Sequence, residues 1–321
     1  MLPTKRLAWG KREGGWESPF TFNQVDSLII TFFSRAGKRI AVNSLRNLSF
    51  RASAHTGVGI RFPDGVDFPA KSGYTVGMEY FFTLEEDLPA GVGFSLFGLA
   101  HILWLGVAAA ICAALCLCFR RASADGRRRL RHALGWAVLA CEALKDVNVL
   151  AQIGFDVWYL PLHLCGLAVF FTFAHSRKPG KTLGNFLYAC CAPGAVFALL
   201  TPDWTRYPPF SYHSIVGFVV HALLVAYPLM LVVGRDLRPE AKYLPRCFGI
   251  LVCCAVPIAV FNHFFGTNYM FLSWPSPGSP LEWFSSFLGV PGYLLGYIPM
   301  LAAVWLILYL PFGKKKGSNG T

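Results

Sequence analysis

The feature that most constrains this chain is a series of long apolar segments separated by shorter polar loops. We identify seven such segments, at residues 92–118, 133–153, 159–175, 184–200, 213–234, 246–265 and 290–312. An α-helix rises 1.5 Å per residue, so about 20 apolar residues cross the roughly 30 Å hydrocarbon core of a bilayer. The segments therefore predict an all-α, polytopic membrane protein with about seven transmembrane helices.

Composition agrees with a membrane protein and disfavours several other classes. Charged residues make up only 14% of the 321-residue chain, whereas about 25% is usual in soluble domains. All ten cysteines lie inside or at the ends of the apolar segments, so we interpret most of them as packing residues rather than a disulfide framework. The chain has no P-loop, GxGxxG, CxxC or HExxH pattern. We therefore expect no nucleotide site, no metal site and no other cofactor.

The positive charges are distributed as they are in a protein with fixed membrane topology. The net charge is +12, and sixteen Lys or Arg lie in residues 119–132, 176–182, 235–246 and the C-terminal tail. The three loops that alternate with these regions contain a single Lys or Arg, Arg206. Positively charged loops stay on the cytoplasmic side. The pattern predicts a multi-pass protein of the plasma (cytoplasmic) membrane, with its N-terminus outside, its C-terminus inside and no nucleic-acid partner.

Residues 1–77 do not fit this pattern. They contain 11 Lys or Arg and no spanning segment, yet they would lie outside. The sequence that begins at Met78, MEYFFTLEED, is acidic and aromatic, as suits an outward N-terminus. We expect residues 1–77 to be a poorly ordered extension, such as one that a misassigned start codon would add. We expect residues 78–321 to form the transmembrane domain. The alternative is a small peripheral domain.

Polar side chains recur in the outward halves of five predicted helices. A charged or imidazole side chain in hydrocarbon costs a few kcal/mol unless it meets a partner or a wet cavity. We therefore predict one shared polar cavity that opens toward the outer leaflet. Its candidate substrate-binding residues are His101, Asp146, Asn262, His263, Asn268 and Tyr269.

Three further residues are candidates for catalysis. His221 or His163 would act as general base, and Cys165 would act as nucleophile. On a regular helix, positions 163 and 165 point about 200° apart, so both line one pocket only if the turn after Pro161 is irregular or the cavity is wide. Each polar residue could instead have a purely structural role. His101, for example, would then form a hydrogen bond between two helices.

Several of these motifs resemble the YwaF family of bacterial integral membrane proteins. They are MEYFFT at Met78, His101, LPLHLC at 160–165, H-x6-P at 221–228 and N-x5-GTNYMFL at 262–272. A eukaryotic branch similar to that family is regarded as an acyltransferase that moves acyl chains between phospholipids with a Cys and a His. The resemblance implies membrane phospholipids as partners, His221 as the matching His and Cys165 as the nearest Cys.

The sequence leaves the function open between three classes. The first is a lipid-modifying enzyme, such as a phospholipid acyltransferase, with Asn262 and Asn268 orienting substrate or stabilising an oxyanion. The second is a non-enzymatic small-solute transporter or receptor-like protein. The absence of an inverted repeat or of paired broken helices in the sequence disfavours transport. The third is a structural membrane protein, in which the polar residues only form hydrogen bonds or ion pairs between helices.

Overall fold

The computed structural model describes residues 80–276 and 278–312. The expectations for residues 1–77 lie outside this part of the chain. The described residues form α-helices, short 3₁₀ helices and turns, and no strand occurs among them. This confirms the predicted all-α class for the described residues.

The main helices follow the apolar segments with shifted boundaries. They are α1 (Leu99–Arg121), α2 (Ala124–Ile153), α3 (Leu164–Arg177), α4 (Lys181–Leu200), α5 (Tyr212–Val233), α6 (Leu244–Phe265), α7 (Pro280–Leu288) and α8 (Tyr297–Tyr309). A 3₁₀ turn, Ala241–Tyr243, precedes α6, and two others, Gly292–Gly296 and Leu310–Phe312, extend α8 at both ends.

Five stretches of the described chain are long and apolar enough to cross a membrane. They are Leu99–Arg121, Lys181–Leu200, Tyr212–Val233, Ala241–Phe265 and Gly292–Phe312. They correspond to the first, fourth, fifth, sixth and seventh predicted segments. The second and third segments are also helical, but α2 carries several charges and α3 has only 14 residues.

Local sequence explains several helix boundaries. The Ser123 and Ser211 hydroxyls accept hydrogen bonds from the backbone N–H groups of Gly126 and Ser214, which caps α2 and α5. Gly266 ends α6 in the left-handed conformation, with φ of 67°. A non-glycine residue rarely adopts that conformation, and the sixth apolar segment, 246–265, was expected to end at the preceding residue.

A π-helical turn, Leu187–Cys191, interrupts the regular hydrogen bonding of α4. The Trp305 indole of α8 donates a hydrogen bond of 3.1 Å to the backbone carbonyl of Ala189. The Tyr188 hydroxyl donates to the carbonyl of Leu308 at 3.1 Å. These bonds use the irregular turn to join α4 to α8.

Hydrogen bonds show which helix ends lie together. At one end of the bundle, His101 near the start of α1 bonds the Leu199 carbonyl at the end of α4. At the same end, Gln152 of α2 donates to the Phe82 carbonyl just before α1, and the Met270 amide after α6 bonds His163 before α3. We call the end that these residues mark the polar end.

Arginines join the helix termini at the opposite end. Arg127 and Arg131 at the start of α2 bond the carboxylate of Asp236, which follows α5, at 2.8 and 2.9 Å. Arg127 also donates to the Gly234 carbonyl at 2.7 Å. We call the end that these residues mark the arginine end. Helices α1 to α6 therefore alternate in direction between the two ends.

Candidate functional site

The C-terminal half of α2 buries a carboxylate and exposes apolar residues. Glu142 is 6% exposed, whereas Leu144 and Val147 are 59% and 60% exposed. Lys145 donates a hydrogen bond to Glu142 at 2.5 Å and lies 3.5 Å from Asp146. Positions 142, 145 and 146 share one side of a helix. The ion cluster therefore extends from the buried Glu142 to Asp146, whose side chain is 40% exposed, near the polar end.

One ring nitrogen of His221, in α5, is unprotonated. Its Nδ1 lies 2.7 Å from the backbone carbonyl of Gly217. A carbonyl oxygen only accepts hydrogen bonds, so Nδ1 carries the proton of the neutral ring and Nε2 carries the lone pair. Nε2 has no hydrogen-bond partner within the described ranges, so it is free to accept a proton.

Trp204, in the loop before α5, covers one face of the His221 ring. The ring centroids are 4.9 Å apart, with an interplanar angle of 26°. A Cβ atom on Gly217 would lie 2.9 Å from the indole, so the glycine allows the indole to approach α5. The indole Nε1 is buried and has no hydrogen-bond partner among the described residues.

His163 has the opposite arrangement of its ring nitrogens. The Met270 amide donates to His163 Nδ1 at 3.3 Å, so the proton of the neutral ring lies on Nε2. His163 precedes α3 in an extended conformation, with φ of −67° and ψ of 156°. The chain after Pro161 is thus irregular, which is the condition under which positions 163 and 165 can face one pocket. Cys165 itself is half-buried in the first turn of α3.

Three charged groups lie close enough to the candidate catalytic residues to act on them, and one of the three, Asp203, acts on all the candidates. Asp203 acts electrostatically on His221, on His163 and on Cys165. Glu142 acts on His221 and Cys165, and Lys145 acts on both histidines. The three residues therefore share charged neighbours at the polar end, but no hydrogen bond joins any two of them among the described residues.

His101 lies at the same polar end, but the backbone occupies its ring nitrogens. This residue is fully buried, its Nδ1 accepts from the Phe97 amide at 2.9 Å, and its Nε2 donates to the Leu199 carbonyl at 2.8 Å. Both ring nitrogens are therefore occupied, and the contacts fit the interhelical hydrogen bonding that the sequence analysis gave as an alternative.

Asn262 joins the end of α6 to the turn that follows. Its Oδ1 accepts from the Thr267 hydroxyl at 2.8 Å and from the Tyr269 amide at 3.0 Å. Its Nδ2 donates to the Tyr269 carbonyl at 2.9 Å. The side chain is 2% exposed, so these three bonds satisfy a buried amide.

Asn268 and Tyr269 also bond to the backbone. Asn268 Oδ1 accepts from the amides of Ser273 and Trp274 at 3.0 and 3.1 Å. The Tyr269 hydroxyl donates to the Val157 carbonyl at 2.6 Å. The polar residues of this segment thus hold a turn against the loop before α3.

His263 is exposed on α6 and makes no hydrogen bond to the described residues. Adjacent positions on a helix point about 100° apart, and Asn262 occupies the buried direction. The structure therefore does not bring His263 together with His221 and His163.

Sequence reasoning missed three residues of this neighbourhood. Glu142 lies one helical turn before Lys145, a spacing that marks an ion pair. Asp203 and Trp204 follow α4 in the sequence TPDW, and only the fold brings them to α5. A separate buried pair, His175 and Tyr227 at 3.0 Å, lies in the half toward the arginine end.

The described residues contain no group of three or more His, Cys, Asp or Glu that could hold a metal ion. The side chains of the site itself supply imidazoles, a thiol and an ion cluster. A base, a hydrogen-bond donor and a thiol in one neighbourhood suit proton transfer and attack on a carbonyl.

Comparison with known proteins relates these helices to a family of transmembrane proteins. The model of the TMEM164 family matches residues 96–309, from just before α1 to the end of α8. The chain belongs to the TMEM164 family. No curated protein and no solved structure matches the chain. His221, His163, Cys165 and the ion cluster all lie inside the part that matches the TMEM164 family.

Proposed function

We propose that this protein is a multi-pass membrane enzyme that acts on phospholipids, by acyl transfer or hydrolysis at the polar end. The observation that carries the proposal is the unpartnered Nε2 of His221, a base whose tautomer is fixed by the Gly217 carbonyl. The resemblance to the YwaF family and its acyltransferase-like relatives agrees with this activity.

The proposal includes a topology of seven spans, α1 to α6 and α8. The alternating helix directions support it, and so does α2, because it exposes the apolar Leu144 and Val147 and buries Glu142. We place the polar end outside and the arginine end, with its basic loops, in the cytoplasm. We propose the plasma membrane as its location.

The proposed reaction starts with proton transfer from the Cys165 thiol to His221 Nε2. The Cys165 sulfur attacks the ester carbonyl carbon of a phospholipid, and the intermediate collapses to a thioester. The departing glycerol oxygen takes the proton from His221 and leaves as lysophospholipid. A hydroxyl of an acceptor lysophospholipid, or water, then attacks the thioester and gives its proton to His221, which returns it to the thiol.

The neighbouring groups have roles that follow from their charges. Asp203 and Glu142 favour the imidazolium that forms on His221. The Nε2–H of His163 would donate to the carbonyl oxygen as negative charge develops there. The tautomers therefore favour His221 over His163 as the base. Of the predicted substrate-binding residues, Asp146 would lie beside the reacting groups, and Asn262, Asn268 and Tyr269 would hold the turn next to His163. His101 would act as an interhelical hydrogen bonder, and the exposed His263 would take no part.

The test is acyl exchange by the purified full-length protein in lipid nanodiscs. Phospholipid with an isotope-labelled acyl chain is mixed with lysophospholipid, and mass spectrometry follows the label. We expect His221→Ala and Cys165→Ala to abolish transfer. His263→Ala and Cys253→Ala are matched controls, because both residues are exposed on α6, and they should retain it.

The outcomes separate the parts of the proposal. Transfer that persists in Cys165→Ala but not in His221→Ala would remove the thioester and leave His221 to activate a hydroxyl directly. Transfer that persists in both variants would contradict the mechanism. A wild-type protein that never moves or releases the label would contradict the enzymatic function.

The ion cluster favours a second candidate function. Charged residues on the buried face of a spanning helix also occur in solute and proton pathways, and Lys145, Glu142 and Asp146 form such a group. Under this alternative, the protein binds or transports a small solute without chemistry. Lys145→Met would then abolish solute or proton flux in proteoliposomes, and no acyl exchange would be found.

A further inference from the structure

Helix α7, between α6 and α8, packs on the protein through one side only. Leu281 is 4% exposed. Phe284 lies directly over Gly296, where a Cβ atom would collide with its ring. These two contacts fix α7 against the 3₁₀ turn that leads into α8.

A second apolar set on the same helix faces away from the protein. Trp283, Phe287 and Val290 are 64%, 57% and 53% exposed. Positions 283 and 287 are one helical turn apart, and Val290 follows the helix directly. We call these three residues the α7 stripe. An exposed apolar set of this kind marks an interaction surface.

The area of the α7 stripe argues against a second copy of the chain as its partner. An aromatic side chain buries roughly 150–250 Å², so the stripe offers about 400–500 Å². A stable protein–protein interface needs about 800 Å² on each side. The stripe is also close in sequence to Leu295 and Ile298, both 61% exposed on the segment that begins the last spanning stretch.

The polar groups of α7 are already satisfied within the segment. The hydroxyls of Ser285 and Ser286 donate to the carbonyls of Glu282 and Trp283, both at 2.7 Å. The Glu282 carboxylate accepts from the Gly278 amide at 2.6 Å. A helix with satisfied hydroxyls and aromatic residues on one side can enter the membrane interface.

We propose that α7 lies in the membrane interface and inserts the α7 stripe at the headgroup–acyl boundary. No Lys or Arg occurs between Arg246 and Lys314, so the contact does not depend on anionic lipid. The partner is therefore the surface of a zwitterionic phosphatidylcholine bilayer. This inference is independent of any chemistry at His221.

Insertion of α7 would also support the turn beside His163. The hydroxyls of Tyr293 and Tyr297 donate to the carbonyls of Phe271 and Met270 at 2.7 and 2.9 Å. Met270 and Phe271 have φ of 55° and 52°, a strained conformation for non-glycine residues. Met270 in turn bonds His163. An anchored α7 thus holds a strained turn at the candidate site.

The test uses tryptophan quenching in nanodiscs of phosphatidylcholine brominated near the headgroup end of its chains. Trp283 is one of nine tryptophans, and bromine quenches only those near lipid. We expect Trp283→Phe to lower the quenched fraction of the fluorescence. Trp204→Phe should raise it, because the Trp204 indole packs against Gly217 and Phe218 inside the bundle.

A second pair of variants tests the same insertion by stability. Phe287→Glu should lower the melting temperature in nanodiscs by several degrees, whereas Ser286→Glu, at the exposed neighbouring position, should lower it less. An unchanged quenched fraction in Trp283→Phe would overturn the proposal. Efficient disulfide formation between two copies of Trp283→Cys would overturn it too, since the stripe would then contact protein.

Discussion

Gly217 determines whether Trp204 can stack on His221. A methyl group at this position would lie 2.9 Å from the indole, so Gly217→Ala should displace the ring and destabilise the fold by about 1–3 kcal/mol. We also expect reduced acyl exchange, because the Trp204 indole would no longer stack on the His221 ring. Thermal unfolding and the exchange assay measure the two effects.

Gly249→Ala is the matched control for that substitution. Gly249 lies in α6 with nothing near its missing Cβ, so alanine should stabilise the helix by up to about 1 kcal/mol. Equal melting temperatures for Gly217→Ala and Gly249→Ala would show that the indole can shift without loss.

Asn262 is the residue on which the turn after α6 depends. Asn262→Ala leaves the Thr267 hydroxyl and the Tyr269 amide without their acceptor inside the protein. Each unsatisfied buried group costs about 1–3 kcal/mol, so we expect a loss of roughly 2–4 kcal/mol. The adjacent exposed change, His263→Ala, should alter unfolding by less than about 0.5 kcal/mol. Similar losses in both variants would contradict this account.

The contrast between Asn262 and His263 shows where sequence reasoning ends at the residue scale. Both are polar residues near the end of an apolar segment, and the sequence predicted a cavity role for both. Only one can face inward, since neighbouring positions point about 100° apart. The buried direction is set by packing against the turn at 267–269, which composition does not reveal. The exit from the helix at Gly266 was predictable because glycine there is a local signal.

At the scale of the element, α2 combines features of a membrane span and of a charged helix. Its Glu142–Lys145 pair lies on the buried face, so Lys145→Met should leave a buried carboxylate without its partner. We expect a loss of about 3 kcal/mol, the lower end for a buried pair, because the Lys145 side chain is 29% exposed. The unfolding free energy in detergent measures it.

The double variant Glu142→Gln, Lys145→Met separates pairing from packing. Without the carboxylate, no charge is left uncompensated, so most of the lost stability should return. If the double variant is as unstable as Lys145→Met alone, the cause is the lost lysine side chain and not the charge.

The stability of the loop before α1 should depend on pH because of Glu85. Burial raises the pKa of the Glu85 carboxyl above its ordinary value, and the opposing effect of Arg206 is smaller. The folded loop therefore favours the protonated form. Its contact with residues 206–207 should be strongest below the ordinary pKa of 4.5 and should weaken as the pH rises through the higher folded value.

Hydrogen exchange of residues 84–88, compared between pH 4 and pH 7 after correction for intrinsic rates, tests this prediction. Glu85→Gln should give protection that no longer depends on pH. A wild-type loop that becomes more protected at pH 7 would show that the ion pair with Arg206 dominates burial.

At the scale of the whole molecule, the alternation of basic and neutral loops predicted which helix ends lie together. Arg127 and Arg131 do lie with Asp236 at one end, and His163 lies with Met270 at the other. The sequence was less informative about which of the helices cross the membrane. Hydropathy treats α2 as a weak segment because it averages around the helix, whereas α3 is apolar but has only 14 residues. Burial separates the buried Glu142 of α2 from the exposed apolar Leu144 and Val147.

The loop at 154–158 distinguishes seven spans from five. If α2 and α3 both cross the membrane, this loop lies outside; if neither crosses, it lies in the cytoplasm, while every other loop keeps its side. An epitope inserted after Phe155 should therefore bind antibody on intact cells under our proposal. An epitope after Asp125, beside the arginine end, should bind only after permeabilisation, and one after Ser276 should bind without it. Detection at Ser276 with no detection at Phe155 in intact cells would leave five spans, and the ion cluster of α2 would then lie outside the bilayer.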